Sequence, residues 1–112
     1  MKIYHNPRCS KSRQTLALLE EKGINPEIIL YLKDNPNKDD IKDLLQKLGI
    51  PAEKLIRKGE QIYKDNFKGK SLSEEEWIDA MVDFPKLIER PIVVKGNKAI
   101  LGRPPQNVLD LI

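Results

Sequence analysis

Between Lys2 and Tyr31 the chain has room for one strand, one helix and a second strand, and for little else. Lys2 to His5 is a short apolar strand around Ile3 and Tyr4. Ser12 to Lys22 carries a helical pattern with Leu16 and Leu19 inward, and Gly23 stands where a helix stop is expected. Glu27-Ile28-Ile29-Leu30-Tyr31 is a nearly continuous apolar run, the pattern of a strand covered on both faces. Strand, helix and strand at this length predict a parallel βαβ unit with a right-handed crossover.

The middle of the chain is helical. Asn37 is an N-cap ahead of Ile41, Leu44, Leu45 and Leu48, which repeat at helical spacing, and Gly49 and Pro51 close the pattern. Ala52 to Lys58 predicts another short helix with Leu55 and Ile56 inward. The stretch from Gln61 to Lys70 fits no single pattern, and Gly69 marks a loop. Ser73 and Glu76 form a capping box for a helix with Trp77, Ile78, Met81 and Val82 on one face, which Pro85 limits. Pro91 to Val94 and Lys98 to Leu101 flank Lys95-Gly96-Asn97, a hairpin signal. Gly102-Arg103-Pro104-Pro105 opens a last short helix with Val108, Leu109 and Ile112 inward. The order is βαβ, a helical insert, then ββα: an α/β, thioredoxin-like fold with a mixed four-stranded sheet and helices packed on it. All 112 residues are expected to form one domain, 1–112. In such a fold the proline opening a strand is commonly cis, and that is expected of Pro91.

The chemistry concentrates in His5-Asn6-Pro7-Arg8-Cys9-Ser10-Lys11-Ser12-Arg13, which holds the only cysteine and the only histidine. A thiol between a strand and a helix sits where the helix's free N–H groups point, and these favour the thiolate, the reactive form. Arg8, Lys11 and Arg13 add positive charge, and His5 adds more if protonated. Asn6 and Pro7 shape the turn that presents Cys9. One cysteine excludes an internal disulfide, and one cysteine with one histidine excludes the usual zinc sets. The net charge of +3 is mixed in sign along the chain. It suits a local basic pocket for a small anion better than a groove for nucleic acid. No apolar run is long enough for a signal peptide or a membrane span, so cytoplasmic residence is the expectation. A free thiol suits that reducing compartment.

Four further stretches extend this one, with its Ile3-Tyr4 lead and its Ser12-Arg13 end, into a family pattern: Leu30-Tyr31-Leu32, Leu55-Ile56-Arg57-Lys58, Glu89-Arg90-Pro91-Ile92-Val93-Val94 and Gly102-Arg103-Pro104. In this order and spacing the sequence resembles the glutaredoxin-coupled arsenate reductase (ArsC) family over essentially its whole length. The resemblance implies that Cys9 is the nucleophile, with His5 and Ser12 as its catalytic neighbours, and that Arg57, Arg90 and Arg103 bind the oxyanion. Guanidinium groups suit that task, since their forked donors match tetrahedral oxyanions and stay charged. The family reaction implies arsenate as substrate, glutathione as co-substrate, glutaredoxin as partner, no bound cofactor and a monomer. The absence of a second cysteine argues separately for an external thiol reductant. Two other readings share the fold. One is a glutathione-dependent thiol oxidoreductase acting on mixed disulfides or another oxyanion. The other is a regulator of the Spx type that binds RNA polymerase. Redox-sensing regulators of that type use Cys-x-x-Cys; here Ser12 stands three residues after Cys9, which rules out a disulfide within that motif.

Overall fold

The computed structural model describes all 112 residues, which gather into two compact units. The first unit comprises residues 1–34 and 90–112 and carries a four-stranded mixed sheet. Its strands are β1 (Lys2–Tyr4), β2 (Glu27–Ile29), β3 (Ile92–Lys95) and β4 (Lys98–Leu101), in the order β2-β1-β3-β4. β1 runs parallel to β2 and antiparallel to β3, and β3 and β4 form the expected hairpin. Gly96 in its turn takes a φ of 61°, a left-handed value that favours glycine. The Arg90–Pro91 bond is cis, as is Arg103–Pro104.

Helix α1 (Ser10–Glu21) crosses between β1 and β2. It packs Leu19 against Ile3 of β1 and Val93 of β3, which are direct cross-strand partners, and against Val108 near the C-terminus. These four side chains are fully buried. Truncating any one of them to alanine removes a large apolar group from a dense core, at a cost of about 2–4 kcal/mol.

The structure corrects two expectations in this unit. The apolar run after residue 27 is not a strand covered on both faces. β2 is an edge strand, Glu27 is exposed, and Ile28 keeps 48% of its surface in water. β1 offers only three residues to pair with, so the ladder ends where His5 N–H donates to Ile29 C=O. The chain then turns at Leu30, whose carbonyl accepts from the N–H groups of Lys33 and Asp34, and Tyr31 is buried in that turn. The strand that does have both faces covered is β3, with Ile92, Val93 and Val94 all buried. The C-terminal segment Pro105–Asp110 is a 3-10 helix, not an α-helix. Its period of three aligns Pro105, Val108 and Leu111, so those face inward, whereas Leu109 and Ile112 remain 43% and 46% exposed.

The second unit, residues 35–89, is helical: α2 (Lys38–Leu48), α3 (Ala52–Leu55), α4 (Gln61–Asn66) and α5 (Glu74–Asp83), then a 3-10 turn at Pro85–Leu87. α2 and α5 both begin with reciprocal capping boxes, Asn37 with Asp40 and Ser73 with Glu76. α2 buries Ile41, Leu44 and Leu45, and α5 buries Trp77, Ile78, Ala80 and Met81. Tyr63 and Phe67 of α4 and its C-cap close on Trp77 with ring centroids 6.3 and 6.1 Å away. α3 stops at Leu55, three residues short of the predicted end. Ile56 leaves the helix to form an isolated antiparallel bridge with Ile88, so Arg57 is not a helical residue. Ser73→Ala removes the side-chain acceptor for Glu76 N–H and is expected to lower stability by about 1 kcal/mol. Thermal unfolding followed by circular dichroism measures this. No helix of the chain is long and apolar enough to cross a membrane.

Candidate active site

Cys9 is the N-cap residue of α1. The sequence pattern placed the start of the helix at Ser12; the turn before it brings the start forward. Asn6 Oδ1 accepts from Arg8 N–H at 3.0 Å and Asn6 C=O accepts from Cys9 N–H at 3.0 Å. That closes the loop at Cys9, and the first helical bond runs from Arg13 N–H to Cys9 C=O. Arg13 also reaches back to donate to Pro7 C=O at 2.8 Å, bracing the same turn.

The electrostatics of α1 differ from those of the other capped helices. α2 and α5 fill their first turns with acidic residues, Asp39 and Asp40 in one and Glu74, Glu75 and Glu76 in the other. The first turn of α1 has no acidic residue and carries Lys11 and Arg13. Its positive end therefore faces the thiol with no carboxylate to offset it.

The Cys9 thiol is partly buried. Burial alone pushes its pKa up and is the largest single influence. It is outweighed by the Ser12 N–H, by a hydrogen bond and the charge of Arg90, and by the Lys11 N–H, so the net shift is downward from the ordinary value of 9.0. Those amides do not close a side-chain cap bond to the sulfur, but they are aimed at it closely enough to favour its anion. Arg103 Nη1 lies 3.8 Å from Sγ and 3.2 Å from Arg90 C=O. Arg90 is buried, 8% exposed, and Arg103 is half-buried. Two guanidinium groups from the open end of the β3–β4 hairpin, one before β3 and one after β4, thus meet at one thiol.

His5 and Ser12 form a second layer. His5 Nδ1 and Ser12 Oγ share a 2.6 Å hydrogen bond, and Ser12 Oγ also accepts from Asn6 N–H at 3.0 Å. Both side chains are buried. Burial and then the charge of Arg13 hold the imidazole pKa below 6.5, so the ring is neutral at physiological pH. The positive charge at Cys9 comes from arginine, not from His5. The histidine touches Ser12, whose backbone N–H faces the sulfur.

Of the six residues singled out in the sequence, the structure gathers His5, Cys9, Ser12, Arg90 and Arg103 in the first unit. Arg57 belongs to the second. There its guanidinium faces Glu60 at 3.5 Å and Glu89 at 3.4 Å, and its N–H donates to Leu87 C=O at 2.7 Å. Sequence reasoning gave no functional weight to Thr15, which lies fully buried on the same side of α1. The one available signal was its spacing, three residues after Ser12 and four before Leu19 on an inward helical face. No group of three or more His, Cys, Asp or Glu side chains gathers to hold a metal ion.

This arrangement favours the thiolate over the thiol and can hold an anion beside it. Arg90→Ala and Arg103→Ala are each expected to move the thiol titration upward, with Arg90→Ala the larger because it removes both a hydrogen bond and a charge. The rate of iodoacetamide alkylation against pH reads this directly. In the unsubstituted protein its midpoint is expected below 9.0, and a midpoint at or above that value would contradict the geometry.

Comparison with known proteins places this site in context. The ArsC family profile matches residues 4–111. The chain is 54% identical to the Escherichia coli protein YfgD, over 100% of this chain and 96% of that one. It is 46% identical to an arsenate reductase of Haemophilus influenzae, over 98% and 97% of the two chains. Among solved structures, an arsenate reductase from Vibrio cholerae superposes with a TM-score of 0.96 at 49% identity, covering 99% of this chain and 96% of the other.

Proposed function

The chain belongs to the ArsC family, and from that premise we propose that it is an arsenate reductase with Cys9 as nucleophile. The observation that carries the proposal is the approach of Arg90 and Arg103 to a thiol at an uncompensated helix start. A thiolate is a soft nucleophile suited to arsenic, and the two guanidinium groups offer charged donors to the oxygens of a tetrahedral anion.

In this reading, arsenate enters with its oxygens on Arg90 and Arg103. The thiolate attacks arsenic, an S–As bond forms, and one protonated oxygen leaves as water. His5 and Ser12 keep the first turn of α1 in place while charge moves onto the oxyanion. A second thiol must complete the reduction, and the chain has one cysteine. Glutathione fills that role and glutaredoxin releases the mixed product. Overall two thiols become one disulfide, and arsenate accepts two electrons to become arsenite. For Arg57, a part in binding the oxyanion rests on the family resemblance alone. The protein is proposed to act as a cytoplasmic monomer with no resident cofactor, since a reducing compartment keeps its thiol free.

The test is NADPH consumption coupled through glutathione reductase, with arsenate, glutathione and glutaredoxin each supplied and each omitted in turn. Turnover that requires all three supports the proposal. Folded protein with a titratable thiol but no arsenate-dependent turnover rejects the assignment. If the same protein then reduces a glutathione-mixed disulfide, the thiol oxidoreductase reading replaces it.

A further inference from the structure

We propose that Thr15 is a positioning residue that locks the segment after β4, which carries Arg103, to the second turn of α1, and so sets the approach of the Arg103 guanidinium to Cys9. The proposal deepens the reading of Cys9 as a reactive thiol and rests on that reading, but not on arsenate as the substrate.

Thr15 is fully buried, about 1.7 turns along α1 from Cys9. Its hydroxyl lies 2.8 Å from Lys11 C=O and 3.3 Å from Gly102 C=O. The first bond is the ordinary back-bond of a helical threonine to the residue four before it. The second crosses 87 residues of sequence to the residue immediately before Arg103. A hydroxyl has a single proton to donate, so the two carbonyls share it.

Steric fit reinforces the bond. A Cβ placed on Gly102 would lie 2.5 Å from Thr15 Oγ1, 2.9 Å from Thr15 Cγ2 and 2.8 Å from Pro91 Cγ. The backbone of Gly102 therefore runs directly against Thr15. Gly102 N–H in turn donates to Pro91 C=O at 3.0 Å, tying it to the residue after Arg90.

The contacts close a ring. Cys9 leads through α1 to Thr15, Thr15 binds Gly102, Gly102 carries Arg103, and Arg103 returns to Cys9 Sγ at 3.8 Å. Arg103 also donates to Arg90 C=O, which joins the second arginine to the ring. The charged groups that act on the thiol within this ring are Arg90 and Arg103. His5, which the notable burial of its ring keeps neutral, stands behind Ser12.

Thr15→Val keeps the shape and removes the hydroxyl; Thr15→Ser keeps the hydroxyl and removes the methyl. Thr15→Ala also lacks the hydroxyl and serves if valine prevents folding. The thiolate is titrated by its absorbance near 240 nm and by alkylation at pH 7, neither of which involves arsenate. Thr15→Val is expected to slow alkylation about threefold and raise the titration midpoint, with Thr15→Ser close to the unsubstituted protein. Adding Arg103→Ala to Thr15→Val should then cost less than Arg103→Ala alone. A folded Thr15→Val or Thr15→Ala protein with an unchanged midpoint overturns the proposal. So does a double variant in which the two effects add in full. Either result can occur with arsenate turnover present or absent, so the two readings fail separately.

Discussion

Cys9→Ser is expected to abolish arsenate-dependent turnover, by at least about a thousandfold, while leaving the fold as stable as before. The two parts of this result have different causes. Serine is nearly the same size, and Cys9 is only partly buried, so no cavity or overpacking follows. Cys9 also occupies the N-cap of α1, a position where serine is among the preferred residues and cysteine is not. The hydroxyl can accept from the Lys11 and Ser12 N–H groups that now face sulfur, so thermal stability should hold or rise slightly. Activity has no such substitute. A hydroxyl stays protonated at neutral pH even beside Arg90 and Arg103, and no other cysteine in the chain can replace it. Turnover in the coupled assay and the melting temperature on the same sample separate the two effects. Residual turnover above a protein-free control would remove Cys9 from the chemistry.

Gly102→Ala is expected to be the most damaging single methyl added to the first unit, destabilising it by about 1–3 kcal/mol. The backbone at Gly102 does not need a left-handed φ, so the penalty is purely one of space. The new methyl would meet Thr15 Oγ1 at 2.5 Å and Pro91 Cγ at 2.8 Å, and neither can easily retreat. Thr15 is fully buried with its hydroxyl held by Lys11 C=O, and Pro91 is a rigid ring at the head of β3. Relief must come from moving the β4 end away from α1, which carries Arg103 with it. Slower alkylation of Cys9 should therefore accompany the lower melting temperature. Gly59→Ala is the control. That position has open space and no left-handed φ, so alanine there should be neutral or slightly stabilising. Equal effects at the two positions would show that the close approach at Gly102 is unimportant.

What could be read before the structure was local in origin. The N-cap at Asn37 and the capping box at Ser73 depend on side chains reaching three residues along the chain, and both form as expected, with Asp40 completing a box at Asn37 as well. The β3–β4 hairpin depends on Gly96 and the apolar residues beside it, and it too was legible. The strand-to-helix setting of Cys9 follows from a short apolar segment meeting a helical pattern.

Errors arose where an apolar residue's fate depends on a distant neighbour. Ile28 has the composition of a strand residue buried on its face, yet in the edge strand β2 it stays 48% exposed. Leu109 and Ile112 fit an α-helical stripe, but the prolines before them and packing of Val108 into the core select a 3-10 period. Arg57 sits in a segment with helical character until the bridge between Ile56 and Ile88 draws it out of the helix.

The sequence by itself determined where the lone thiol stands, the strand and helix around it, and the α/β class, because each rests on neighbours within about one helical turn or one strand pair. Only the tertiary structure decided which charges act on that thiol. Arg8, Lys11, Arg13 and His5 are nearest in sequence, but the Arg8 and Lys11 side chains are exposed, Arg13 turns to Pro7 C=O, and burial lowers the pKa of His5. Arg90 and Arg103, at least 81 residues away, supply the side-chain charge instead. Their approach depends on the pairing of β3 with β1 and on the contact between Thr15 and Gly102. Coulombic influence follows distance in space, and distance in space between separate segments is set by packing, which no local pattern records.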